Sequence, residues 1–208
     1  MFPKSTELPN KFIAKEKFYK YGEFSTSLKT AMTNDVAKIM ATNQFSARSL
    51  NVKEGSIFPE IMVLRVVLKR RVCNTQLLDL MDKSIRAAYV LFVLDFDGKY
   101  CLSIAYKDKN KDNINIVKRW TSNWQKEISL DIEGGSIDAI YESLIKQISG
   151  GKIEENAEKG LKEKVSRSIE QEKIAKKIEQ LENKMNNEPQ LKKKLEIKSM
   201  IKSLKEGL

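Results

Sequence analysis

Apolar positions along the chain alternate between a helical and a strand-like period, and each change of period marks an element. Leu28, Met32, Val36, Ile39 and Met40 recur at helical spacing, which predicts an amphipathic helix from Ser25 or Ser27 to about Asn43. Glu60 to Leu68 is nearly continuous in apolar and β-branched residues, the composition of a strand covered on both faces. Leu77, Leu78, Met81 and Ile85 then form one helical stripe, and Tyr89 to Phe96 is a second buried strand. The segment between these two strands is long enough for a crossover, so they are expected to run parallel. Asp97-Gly98, placed between Phe96 and the alternating run Tyr100 to Tyr106, signals a tight hairpin. After the polar cluster KDKNKDN, Ile114 to Trp120 adds another strand. Ser136 caps a last helix with an apolar face of Ile137, Ile140, Tyr141, Leu144, Ile145 and Ile148, and Gly150-Gly151 ends it. The order α, β, α, β, β, β, α predicts an α+β domain over residues 1–150, built on a mixed four-stranded sheet, β-α-β then a meander, with flanking helices.

Residues 151–208 read differently, as a C-terminal helical hairpin or coiled coil. Ile174, Ile178, Leu181 and Met185 form a narrow seam, continued upstream by Leu161, Val165 and Ile169. The sequence NNEPQ predicts a break, with Asn187 as N-cap of a second helix, Pro189 in its first turn and Gln190 completing a capping box. That helix carries Leu191, Leu195, Ile201, Leu204 and Leu208. A two-helix hairpin hides only one seam, so the remaining aliphatic side chains predict docking on another protein or homodimerisation through these helices.

The net charge of +10 suits contact with a polyanion, although a Lys-, Ile- and Asn-rich, Arg-poor composition produces the same excess. The tail is an unpromising DNA grip, because its 15 basic residues are interspersed with 11 acidic ones. Candidate DNA contacts lie instead in the arm KFIAKEKFYKYGEF, at Lys15, Lys17 and Lys20, and in the cluster Lys69-Arg70-Arg71. The aromatic residues of the arm are expected to pin it to the core. Trp120 and Trp124 are expected to end a strand and to cover an edge or the last helix, rather than to stack a nucleotide.

No histidine occurs, which removes Ser-His and Cys-His nucleophile pairs, a histidine base and a histidine zinc ligand. Cys73 and Cys101 lack metal-ligand spacing and read as reduced, buried thiols. Neither GxxxxGK[ST] nor GxGxxG is present, and no cofactor is expected. The start MFPKSTELPNKF has no apolar leader and no run approaches the roughly 18 residues of a membrane span, so a cytoplasmic protein without membrane contact is expected. One enzymatic alternative remains, a metal-dependent nuclease with a degenerate Asp…Asp-x-Lys set: Asp82, Asp97 and Lys99, with Glu60 as an extra carboxylate. Two observations oppose it. Asp97-Gly98 already serves a hairpin, and a helix separates the first two predicted strands, unlike the α-β-β-β-α-β restriction-nuclease core.

Several stretches in order, PKSTELPNKFIAKEKFY, LLDLMDKSI, YVLFVLDFDGKYCLSIAYKD, RWTSNWQ and LDIEGGSIDAIYESLIKQISG, followed by the charged helical tail, span nearly the whole chain. This ordered set resembles an uncharacterised bacterial and archaeal domain family whose genes sit beside superfamily-2 helicases and type III-like DNA methyltransferases. The resemblance carries over no catalytic residue. It implies an accessory role in DNA modification, restriction or phage defence. The absent catalytic sets and the seam after Gly151 add the expectation of a non-enzymatic assembly subunit that binds a helicase or methyltransferase subunit, with DNA contact through the basic residues as a secondary expectation.

Overall fold

The computed structural model describes residues 2–72, 74–110, 113–151 and 160–206. Cys73 and Leu208 lie outside the described residues. The chain divides into two units, Met1–Lys152 and Ile153–Leu208.

The first unit is mixed α and β, but its sheet has six strands rather than four, ordered β1-β2-β3-β4-β5-β6. The strands are β1 (Glu7–Phe12), β2 (Val36–Ser46), β3 (Glu60–Leu68), β4 (Tyr89–Phe96), β5 (Lys99–Asn110) and β6 (Asn113–Thr121). Helices α1 (Lys15–Tyr21) and α2 (Thr26–Asp35) separate β1 from β2, and the short α3 (Ala47–Leu50) follows β2. Helix α4 (Thr75–Ser84) is the crossover that makes β3 and β4 parallel, while every other neighbouring pair is antiparallel. The β4–β5 turn has Asp97 at φ 49° and Gly98 at φ 69°, the left-handed pair that a two-residue hairpin of matching twist requires. Helix α5 (Ile137–Ser149) starts at Ser136, whose hydroxyl accepts the amide of Ala139, and stops at Gly150 with φ 65°.

The helix expected to reach Asn43 ends at Asp35, and Val36 to Ser46 is a strand. The misreading has a specific cause. The β2–β3 register shifts between Val36 and Lys38, so Val36 and Ile39 both turn into the core at a spacing of three, which imitates a helical step. A second shift between Ala41 and Asn43 carries the buried positions Asn43 and Phe45 to the opposite face of the sheet. Strand β1 gave even less signal, being an edge strand with Pro9 and an irregular register.

The two sheet faces bury different layers. On one, Val36, Ile39, Leu64, Val66, Phe92 and Leu94 pack with Phe18 of α1, Met32 of α2 and Leu77, Leu78 and Met81 of α4. On the other, α5 lies across the sheet, with the Tyr141 ring stacked on Tyr89 at 3.6 Å and Phe58 meeting Tyr89 edge-on.

The second unit consists of α6 (Leu161–Asn187) and α7 (Leu191–Glu206), joined by Glu188-Pro189-Gln190. Ile178, Ile197 and Ile201 are buried between them, with Ile174, Leu181, Met185 and Leu204 packed around. The break falls where the sequence places it, yet Asn187 is the last residue of α6 rather than a cap of α7. Instead Glu188 accepts the amide of Gln190, and the carbonyl of Gln190 opens α7 by accepting from Lys194.

Candidate nucleic-acid and partner interfaces

The first unit buries a charged network between α4 and the far strands of the sheet. Asp82 has no side-chain exposure; its Oδ1 meets Lys107 Nζ at 2.6 Å and its Oδ2 accepts from Arg119 Nη2 at 2.7 Å. Arg119 also donates to Asp79 Oδ1 at 2.6 Å and to Ser103 Oγ at 3.3 Å. Lys107 donates to the carbonyls of Asp82, Ile85 and Ala88, which finish the C-terminal end of α4 and the entry to β4. Burial pulls the Lys107 ammonium below its ordinary value, and the charge of Asp82 works to hold it up. Both oxygens of Asp82 are thus spent on cations, and this network fixes α4 to the sheet.

The nuclease residues are not gathered together. Glu60 begins β3, whereas Asp97 follows the end of β4; with Ile61 beside Tyr89 and Val67 beside Asp95, the two sit at opposite ends of parallel strands, roughly 25 Å apart. Lys99 opens β5 directly after the turn. Among the described residues no group of three or more His, Cys, Asp or Glu could hold a metal ion. Helices also interrupt the strand order: α1 and α2 separate β1 from β2, and α4 separates β3 from β4, unlike three successive strands of a restriction-nuclease core.

The predicted DNA contacts fare differently. Lys15 and Lys69, far apart in sequence, meet at the C-terminal end of α2: Lys15 Nζ donates to the carbonyls of Met32 (3.1 Å) and Val36 (2.6 Å), and Lys69 Nζ to that of Thr33 (2.8 Å). Partial burial, then the nearby charge of Lys69, lowers the Lys15 ammonium below its ordinary value. Arg70 pairs with the buried Asp35 at 2.5 Å while much of its own side chain stays in solvent. Arg71 lies over the Trp124 ring at 5.4 Å, and Lys20 over Tyr21 at 5.6 Å. Lys17 is exposed on α1. Lysines at the negative end of a helix are favourable in themselves, so Lys15 and Lys69 have structural work that the sequence did not reveal. Trp124 packs against the core on the α4 side, and Trp120 is buried within β6, as expected of cover rather than of stacking.

In the second unit, the predicted partner-binding residues separate into two sets. Ile174, Ile178, Leu181, Met185, Ile201 and Leu204 pack within the hairpin, together with Ile197, which the sequence reading missed. Leu191 and Leu195 remain 73% and 58% exposed, and Met200 is 56% exposed. Helix α7 combines these apolar side chains with six lysines and two glutamates, and Lys205 reaches Glu182 at 3.0 Å. An open groove of about 530 Å³ is lined by Leu195, Lys198, Ser199, Ile201, Lys202 and Lys205.

A family model matches residues 1–208. The chain belongs to that family, a domain of unknown function (DUF4391). No curated protein and no solved structure matches the chain. Among the described residues of this DUF4391 chain, no helix is long and apolar enough to cross a membrane.

Two buried tyrosines of the DUF4391 body give a pH test of the α5 layer. Tyr89 donates to Asp138 Oδ1 at 2.9 Å, and Tyr141 donates to the Ala105 carbonyl while accepting the amide of Lys107. Burial first, and then the Asp138 charge for Tyr89 and the Asp82 charge for Tyr141, pushes both phenols well above their ordinary value of 10. A raised acid keeps its proton in the folded state, so this contribution is intact below pH 10 and is lost as pH rises above it, where the unfolded chain ionises. Lys107, held low, acts with the opposite sign below 10.5. The urea midpoint is expected to fall above pH 10, and Tyr89→Phe to make that fall shallower; an unchanged slope would place Tyr89 in water.

Proposed function

We propose that this chain is a non-enzymatic accessory and assembly subunit of a bacterial DNA modification, restriction or phage-defence system. It binds a helicase or methyltransferase subunit through α7 and meets DNA with the basic end of the sheet. The observation that carries the reading is the state of α7. Its inner face is already used against α6, yet Leu191, Leu195 and Met200 stay in water on a helix with six lysines. Exposed aliphatic side chains beside fixed positive charge suit an acidic, apolar protein surface. The same strip would serve a second copy of the chain.

The test is Leu191→Glu/Leu195→Glu, measured against a superfamily-2 helicase and a type III-like DNA methyltransferase, with mass in solution recorded for the chain alone. Both substitutions fall on exposed positions, so the fold should survive. Loss of the complex, or of a dimer, by about tenfold or more in affinity is expected. A monomer that binds neither protein, or binds equally well with both glutamates in place, removes the assembly reading. Plasmid cleavage with Mg²⁺ or Mn²⁺ that disappears in Asp97→Ala would replace it with the nuclease alternative.

A further inference from the structure

Helix α5 covers only part of its sheet face. The row Phe45, Ile61 and Tyr89 is fully buried, Tyr89 against Tyr141 of α5 and Phe45 against Phe2. Two rows nearer the β4–β5 turn, the same face is much more open on the β1–β3 side. There Phe12 on β1, paired with Met40 and through it with Arg65, is 62% exposed. The Arg65 side chain is 41% exposed, and Lys38, in the next row, is exposed with its ammonium 5.8 Å from the Phe12 ring.

This surface is organised rather than merely uncovered. Arg65 donates through Nε and Nη2 to Asp95 Oδ2 at 2.9 and 2.5 Å, and its guanidinium lies over the Tyr100 ring at 5.8 Å. A carboxylate and a ring therefore hold the guanidinium plane in one orientation, a flat cationic tile beside a half-buried phenol. Phe12 and Lys38 repeat the pairing of ring and cation on β1 and β2. From β1 to β5 the strip crosses four strand spacings, about 19 Å.

Charge at this end of the sheet favours a polyanion. On the open face Lys38 and Arg65 stand against Asp95, and round the same end of the sheet, on the α2–α4 side, lie Lys15, Lys69, Arg70 and Arg71 with the one buried Asp35. Rings that are already covered by cations offer faces on which a base can stack, with the cation next to the phosphate. A duplex keeps its bases inside and cannot use such rings; an unpaired strand can.

We infer that this open half of the sheet face binds single-stranded DNA, with one base on Phe12 and another against the Arg65–Tyr100 pair, the phosphates running past Lys38. The inference rests on the DNA half of the proposed function and specifies its substrate as unpaired strand.

The experiment measures anisotropy of a labelled dT strand of roughly 20 nucleotides, the matching duplex and an equal-length U strand, with the full chain at several salt concentrations. The dT strand is expected to bind more tightly than the duplex, with affinity falling as salt rises. Phe12→Ala, at an exposed position, should weaken dT binding about 5- to 150-fold and leave duplex binding unchanged. Phe12→Tyr should restore it, which a general loss of fold would not allow. Equal affinity for strand and duplex, no dT binding, preference for the U strand, or indifference to Phe12→Ala overturns the inference. The assembly reading is tested separately, since Leu191→Glu/Leu195→Glu alters α7 and none of these sheet residues.

Discussion

Asp82→Ala is expected to destabilise the first unit by about 3–5 kcal/mol, because it strands Lys107 and Arg119 in the interior without their shared counterion. Both cations are almost fully buried, so water cannot take over the role of the carboxylate. Lys107 would lose charge before it lost its position, since its pKa is already lowered by burial and only Asp82 opposes that shift strongly. Its three carbonyl partners remain, and for this reason Lys107→Met should also be costly: Asp82 would keep Arg119 but the end of α4 would lose its donor. The double variant should cost much less than the two single losses added together, as expected for residues in one network. Urea unfolding of all three variants supplies the cycle. A loss below about 1 kcal/mol for Asp82→Ala would mean that the carboxylate is hydrated and not a counterion at all.

Ile201→Asp is expected to release α7 from α6. The hairpin core rests on three buried isoleucines, so one substitution removes about 2–3 kcal/mol of apolar burial and adds a carboxylate without a partner. A 16-residue helix is marginal in water by itself, and its helicity should be lost once it is undocked. Amide exchange across α7 should approach the rate of an open chain while the β2–β5 amides remain protected. If the assembly reading holds, partner binding falls along with protection, whereas the exposed pair Leu191→Glu/Leu195→Glu reduces binding and leaves protection intact. Retained protection of α7 in Ile201→Asp would contradict the packing of the hairpin itself.

Much of the body was legible locally. The β3-α4-β4 crossover, the Asp97-Gly98 turn and the capped helix α5 each announce themselves within a few residues, because a turn or cap is a local steric requirement. The segment Val36–Ser46 was not legible, since two register shifts in one strand broke the period of two that identifies strands. Candidate sites followed the same divide. Lys15, Lys69 and Arg70 stand out as basic residues, but the carbonyls of α2 that two of them complete can be seen only when β3 ends beside that helix. Asp82 read as a metal ligand and is instead a counterion, because its partners come from β5 and β6, about 25 and 37 residues later in the chain.

The order of residues alone determined where elements turn and stop, the absence of histidine chemistry, the surplus of positive charge and the greasy seam of α6, all of which depend on neighbours within a turn or two. Only the tertiary structure decided which carboxylates are spent, which aliphatic side chains stay wet on α7, and that Phe12, Lys38 and Arg65 share one open face. Those facts depend on strand register and helix docking, where a shift of one residue exchanges inside for outside.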